Sequence, residues 1–370
     1  MRLDDNRKAF IALVKAGLWE QEVKLSSFND IDFCEIDQLA QEQSVVGLVA
    51  AGIERVTDIK APQQEVLNIV GSTLQLEQRN RILNEFVVWL TEWLREEKVS
   101  ALLVKGQGVA QCYERPLWRA AGDIDLLLDT ENYENAKKVL FPIADDVSDE
   151  NSLTKHQGLN VRGVEIELHG KMPFLLSKRA DKVIDEVISN ALKYDGVCIW
   201  QDNNTDVYLP NPDNHVILIF THFLHHFFIE GVGLRQICDW CRILWKNKEN
   251  INISILEKRL KEAGLMSEWR TFAALAVNTL GMPVDAMPFY KEGYTRKANL
   301  ALRHIMKSGN FGHNNDVSYR GLHTVFVSNI ITFFRRLKVF IKFSFIFPID
   351  SPKFFVTYVA SRVKSQLISQ

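Results

Sequence analysis

The stretch ALLVKGQGVAQCYERPLWRAAGDIDLLLD, Ala101 to Asp129, decides how the rest of the chain is read. Leu102 to Val104 is an apolar run that predicts a strand, and Lys105-Gly106 predicts a turn after it. A helix carrying Val109, Ala110 and Tyr113 should follow, then a loop, then a second strand from Asp123 to Leu128. Side chains alternate along a strand, so Asp123 and Asp125 share one face while Ile124 and Leu126 take the other. Neighbouring carboxylates repel, so the pair needs a reason to be there. For an isolated D-x-D the ordinary reason is solvation at a strand end.

The surrounding sequence supplies a different reason. A glycine turn after a strand lets the backbone approach a phosphate with no Cβ in the way. Further along, VEIELH (Val164 to His169) predicts a third strand with Glu165 and Glu167 on one face. Strand, glycine turn, helix, D-x-D strand and acidic strand, in that order, is the plan of a site that holds divalent metal against a triphosphate. Mg²⁺ takes oxygen ligands and keeps several waters, so two or three carboxylates are sufficient protein ligands.

These residues resemble the nucleotidyltransferase superfamily with the polymerase-beta type of palm. They are more closely similar to an uncharacterised bacterial nucleotidyltransferase family marked by an L-K-G turn, an R-x-x-G-D-I-D-L-L strand and a short E-L-H strand. Here those read Val104-Lys105-Gly106, Arg119 to Leu127 (RAAGDIDLL) and Glu167-Leu168-His169. The similarity extends over nearly the whole chain, through AGLW (Ala16 to Trp19), GVGLRQICDW (Gly231 to Trp240) and Phe347-Pro348.

The resemblance implies transfer of a nucleoside monophosphate from an NTP to an acceptor, with release of pyrophosphate. Asp123 and Asp125 would hold two Mg²⁺ (or Mn²⁺) ions, one on the triphosphate and one activating the acceptor hydroxyl. Glu167 would complete the second metal site and assist deprotonation. Glu165 competes for that third place, and the E-L-H match favours Glu167. Lys105, Gly106, Gly108, Arg119 and Gly122 are expected around the nucleotide, with the two cations against its phosphates. His169, on the acidic face, would orient a carboxylate or the acceptor. One departure matters: the superfamily's turn is Gly followed by Gly or Ser, and here Gln107 follows Gly106, so a phosphate-touching hydroxyl is missing. That departure supports an alternative, a catalytically silent nucleotide- or partner-binding protein on the same scaffold. Three retained carboxylates weigh against it.

The chain as a whole sets further bounds. Its 370 residues allow more than one core, and its composition is that of a globular protein. A net charge of −2 and the absence of a basic, aromatic-interleaved groove argue against nucleic acid as partner, leaving a small-molecule or protein acceptor. MRLDDNRKAF at the N-terminus lacks the apolar core of a signal peptide, and five scattered cysteines do not suggest a disulfide framework, so a cytoplasmic location is expected.

In chain order, helical patterning runs from Asp4 to about Lys98, with the clearest helix at Leu74 to Glu97, where Leu83, Phe86, Val87, Leu90, Trp93 and Leu94 make one stripe. Asn80 and Arg81 on that helix are possible site-facing residues. Asp145, Asp146, Asp149 and Glu150 read as a solvated loop. Leu159 to Val161 and Val164 to His169 form a hairpin across Arg162-Gly163, and Val197 to Trp200 and Val207 to Leu209 predict two more short strands. A helix capped by Asp213 or Asn214 carries His222, His225 and His226. Its H-x-x-H-H invites a metal reading, but H-E-x-x-H is absent and pocket-lining or packing is the better reading. Cys238 and Cys241 form a lone C-x-x-C without a second pair, and Arg235 and Asp239 are spaced for a helical ion pair. Within 322–347, Arg335, Lys338 and Lys342 share one side of a helical wheel and Phe326, Phe333 and Phe340 the other. A buried closing helix is favoured over a peripheral membrane contact through this segment, and charges interrupt it too often for a transmembrane segment. The fold expected is α+β: a small mixed-sheet palm at 98–212, a helical region at 1–97 before it and another at 213–370 after it.

Overall fold

The computed structural model describes residues 4–151, 154–310 and 325–368. Four helices precede the first strand: α1 (Asp5–Trp19), α2 (Phe33–Glu42), α3 (Val46–Ile53) and α4 (Gln63–Glu96). Asp4 and Asp32 start α1 and α2 by accepting from backbone N–H groups left unpaired in the first turn. Helix is not continuous over 4–98 as expected: 20–32 and 54–62 interrupt it, and Val23 pairs with Val56 there in an isolated bridge. Helices α1 and α3 cross at contact distance because Gly52 has no side chain; a Cβ there would lie 2.1 Å from the Leu13 carbonyl. Helix α4 begins at Gln63, earlier than Leu74, because its first turns leave Leu67 and Leu74 exposed and show no apolar stripe.

The central sheet comprises β1 (Leu102–Leu103), β2 (Asp123–Leu127), β3 (Asp146–Val147), β4 (His156–Val161) and β5 (Val164–His169), in spatial order β1-β2-β5-β4-β3. Only β2 and β5 run parallel, so the sheet is mixed and the protein α+β. Between β1 and β2 lies α5 (Gln107–Ala110), a single turn that stops short of Tyr113. Helix α6 (Thr130–Leu140) joins β2 to β3, which adds Asp146 and Val147 to the sheet edge where only a loop was expected. The β4–β5 hairpin turns on Arg162 and Gly163, both at positive φ, the geometry whose twist suits a two-residue connection. Helix α7 (Lys178–Ala191) leads to a separate hairpin of β6 (Val197–Asp202) and β7 (Thr205–Pro210).

Period-two alternation sorts the sheet's two faces. Ile124, Leu126, Ile166 and Leu168 point back into a core closed by Leu83, Phe86 and Leu90 of α4 and Tyr133 and Leu140 of α6. The opposite face carries Asp123, Asp125, Glu165, Glu167 and His169. There Leu102, Val104 and Leu127 join a larger core shared with the following helices: α8 (Pro212–Ile229), α9 (Leu234–Lys246), α10 (Ile253–Ala263), α11 (Met266–Asn278), α12 (Thr295–Ser308), α13 (Val325–Phe343) and α14 (Asp350–Ile368). Helix α8 is capped by Asn211, not by Asp213 or Asn214; Pro212 sits in its first turn, where no N–H is needed.

In the C-terminal segment Phe340 and Phe343 are buried, and Phe343 stacks on Phe227 of α8 with ring centroids 4.7 Å apart. Phe333 lies 40% exposed, and the Phe326 side chain falls outside the described residues, as do residues 322–324. Among the described residues no helix is long and apolar enough to cross a membrane. Deleting residues from Leu322 onward should therefore strip the cover from Phe227 and Phe228 and yield insoluble protein. A soluble truncation with one cooperative melting transition would contradict the closing role.

Candidate active site

The site is assembled by register. In the parallel ladder Asp123 lies opposite Glu165 and Asp125 opposite Glu167, so two acids from each strand face the same way. Ligand oxygens of Asp123, Asp125 and Glu167 all lie within 4.8 Å of one another. Glu165 is exposed and stays outside this group. The turn after β1, the antiparallel partner of β2, is drawn tight against β2. Gly106 adopts φ 58° and ψ −121°, a conformation open to glycine, and a Cβ there would approach the Asp123 carbonyl to 3.1 Å.

Cations balance the acids. Lys105 Nζ lies 2.5 Å from Asp125 Oδ1, with the lysine and aspartate side chains 13% and 2% exposed. Burial alone would lower the lysine pKa, but Asp125, Glu167 and Asp123 outweigh it and hold the pKa above its ordinary value. His169 Nε2 sits 2.9 Å from the same Asp125 oxygen. Its pKa is raised, because Asp125 and Glu167 more than offset burial. Glu167 is pulled far below the carboxylate range despite burial, by the imidazoles of His156 and His169 and by Lys105. Asp123 goes the other way: burial and Asp125 raise its pKa against the pull of Lys105.

Helices α8 and α9 roof the acidic face. Ile219, His222 and Phe223 of α8 and Arg235, Gln236 and Asp239 of α9 enclose, with Lys105, Gly106, Val109, Arg119, Asp123 and Asp125, a cavity of about 40 Å³. Such a space accepts ions, water and phosphate oxygens, not a nucleobase, since sites for whole small molecules run to about 300–1,000 Å³. Gly122 marks an open side, with Arg79 Nη2 as the nearest atom to a Cβ built on it, at 3.9 Å.

Two of the residues expected around the nucleotide make further contacts within the fold. Arg119 is buried and clamps Asp239 through two hydrogen bonds of 2.8 Å each, from Nε and Nη2, while its Nη1 donates to the Ala120 carbonyl. Tyr113 donates to the same Asp239 carboxylate at 2.8 Å. A planar guanidinium with its donors engaged in this way ties α9 to the loop before β2 at the wall of the cavity. Arg235 Nη1 reaches the Ala120 carbonyl at 2.9 Å, and the Asp239 charge favours its guanidinium. Gly108 is buried: a Cβ there would meet Leu209 Cδ2 at 2.7 Å, and its N–H donates to the Lys105 carbonyl.

Other candidates also resolve. Gln107, in the place of the missing hydroxyl, is buried and donates to the Asn80 carbonyl at 3.2 Å and to Asn84 Oδ1 at 2.5 Å. Asn80 donates to the carbonyls of Leu117 and Arg119, holding the loop before β2, and Arg81 pairs with Glu77 on the surface; neither is in the cleft lining. The H-x-x-H-H histidines of α8 keep ring contact through His226 but take different polar partners: His222 Nε2 lies 3.4 Å from Lys105 Nζ, His225 meets the Phe174 carbonyl and His226 meets Glu230. Burial and the Lys105 charge keep His222 neutral. Among the described residues neither these histidines nor Cys238 and Cys241 belong to a group that could hold a metal.

The sequence reading missed His156, Arg79 and Arg235. His156 was legible, because a two-residue turn that pairs Val161 with Val164 also pairs His156 with His169. Arg79 and Arg235 had no local signal; packing of α4 and α9 brings them there.

Carboxylates on adjacent parallel strands, with a glycine turn held against them, form one compact oxygen-donor group on a mixed sheet. The chain belongs to the family described as uncharacterised nucleotidyltransferase, whose model matches residues 29–281. The match is narrower than expected, taking in Gly231 to Trp240 but neither Ala16 to Trp19 nor Phe347-Pro348. Searches of curated proteins and of solved structures found no match.

Proposed function

We propose that the protein transfers a nucleoside monophosphate from an NTP to a small-molecule or protein acceptor. The observation that carries this reading is the meeting of Asp123, Asp125 and Glu167 within 4.8 Å on one face of the sheet. An all-oxygen donor set of this kind fits Mg²⁺ or Mn²⁺, which would offset the triphosphate charge and favour ionisation of the acceptor hydroxyl. Lys105 leaves Asp125 for a phosphate oxygen as the nucleotide enters, keeping the cleft's charge balanced. The Gly106 turn places backbone beside the phosphates, and His169 holds Asp125 in orientation. Glu167, completing the second metal site, would assist deprotonation; the acceptor oxygen bonds to the α-phosphorus, its proton passes to solvent, and the bond to pyrophosphate breaks. With about 40 Å³ beneath α8 and α9, the triphosphate enters the cleft and the base stays on the open side near Gly122 and Arg79. The region 98–212 serves as the palm, with 1–97 and 213–370 as acceptor-selecting walls. An NTP donor suits a cytoplasmic setting.

Incubating the purified protein with Mg²⁺ and α-labelled NTPs in a cell extract should move label onto one acceptor. NTP binding that requires Mg²⁺ but gives no labelled product would favour the silent scaffold, a reading supported by the locked Gln107. Absence of Mg²⁺-dependent NTP binding would sink both.

A further inference from the structure

A second group of ligands adjoins the carboxylates. His156 and His169 are cross-strand partners on β4 and β5, with ring centroids 4.9 Å apart, and both turn Nε2 toward one oxygen of Glu167. His156 Nε2 lies 3.3 Å and His169 Nε2 3.4 Å from Glu167 Oε2, and the three ligand atoms all fall within 4.8 Å of one another. Charge-assisted hydrogen bonds of this type close to about 2.7–2.9 Å. The observed spacing is longer and matches another geometry: with metal–ligand bonds of about 2.0–2.1 Å, the edge of a tetrahedral coordination sphere is about 3.3–3.4 Å.

We propose that His156, His169 and Glu167 form a separate site for an imidazole-binding transition-metal ion of the zinc class. The donor set decides the metal: two imidazoles with one carboxylate suit Zn²⁺ or Co²⁺, whereas Mg²⁺ and Mn²⁺ favour oxygen. Both rings bind as the neutral Nδ1–H tautomer, which leaves Nε2 free to ligate, and His169 exchanges its contact with Asp125 for the ion. A carboxylate has two oxygens, so Glu167 can serve this site and the Asp123–Asp125 site together. Three protein donors leave one position for water or a substrate oxygen. The site stands without nucleotide transfer, because no donor in it is a D-x-D aspartate.

Co²⁺ titration of the full chain, in buffer containing excess Mg²⁺, tests it. The expected result is one equivalent bound with the intense visible ligand-field band of a four-coordinate ion. His156→Gln and His169→Gln should each abolish the band, while Asp123→Asn, outside the donor set, should keep it. Loss of the band in Asp123→Asn with retention in both histidine variants would assign the ion to the carboxylate site and overturn the proposal, as would a parent protein that gives no band. Should a histidine variant fail to fold, strongly contact-shifted, exchangeable ring N–H resonances in the Co²⁺-loaded unaltered protein, which only metal-bound histidines give, read the same site. Their absence at one equivalent would likewise overturn it.

Discussion

Asp125→Asn is expected to abolish nucleotidyl transfer and also to destabilise the protein, whereas Asp123→Asn is expected to abolish transfer with no loss of stability. Both changes keep the side-chain shape and differ in what the lost charge leaves behind. Asp125 holds Lys105 at 2.5 Å and His169 at 2.9 Å, so a neutral amide leaves an ammonium in the cleft without its nearest counter-charge. Removing one partner of a buried pair costs about 3–5 kcal/mol. Asp123 carries its charge against burial and against Asp125, which is why its pKa is raised. A group whose folded pKa lies above its unfolded value stabilises the fold below the unfolded value and loses that contribution as pH rises through the folded one. Metal-free Asp123→Asn should accordingly match or exceed the parent's denaturant midpoint at neutral pH, with the difference closing as pH falls toward the ordinary aspartate value of 3.8. Turnover of labelled NTP should drop at least about a thousandfold in both variants, equivalent to about 4 kcal/mol of barrier. Parent-level transfer by Asp125→Asn would remove the metal mechanism.

Arg119→Ala should unfold the protein more readily without acting on the nucleotide. The guanidinium spans two oxygens of Asp239, and Tyr113 shares that carboxylate, so truncation leaves a buried anion with one hydrogen bond from a phenol. A loss of about 3–5 kcal/mol in denaturant unfolding is expected. The paired change Arg119→Met with Asp239→Leu should recover much of it, because two apolar side chains leave no unpaired charge, and the coupling is read from a double-mutant cycle. An Arg119→Ala protein of parental stability but weakened NTP affinity would return this residue to the phosphate.

The Lys105–Gly106 turn, the D-x-D strand and the E-L-H strand were legible because each depends on near neighbours. Alternation alone decides that Asp123 and Asp125 share a face with neither Ile124 nor Leu126. The six-residue strand from Val164 to His169 was read at its true bounds, since Ile166 and Leu168 need the core and Glu165 and Glu167 need water or cations. Where the local pattern was silent, boundaries slipped. The exposed start of α4 carries no stripe, and α5 ends after one turn because the chain must reach back to β2.

What the amino-acid order by itself determined is the α+β plan, the acidic strand pair and the residues able to carry the chemistry. Which of them meet was decided only by tertiary structure. Parallel pairing of β2 with β5 sets Asp125 against Glu167 and leaves Glu165 exposed, a choice that no spacing along one strand contains. Packing of α9 on the loop before β2 pairs Arg119 at the cleft wall with Asp239, far along the chain. The physical reason is the same in both cases. A charged side chain goes to whichever opposite charge lies nearest once water is excluded, and that neighbour is supplied by the fold.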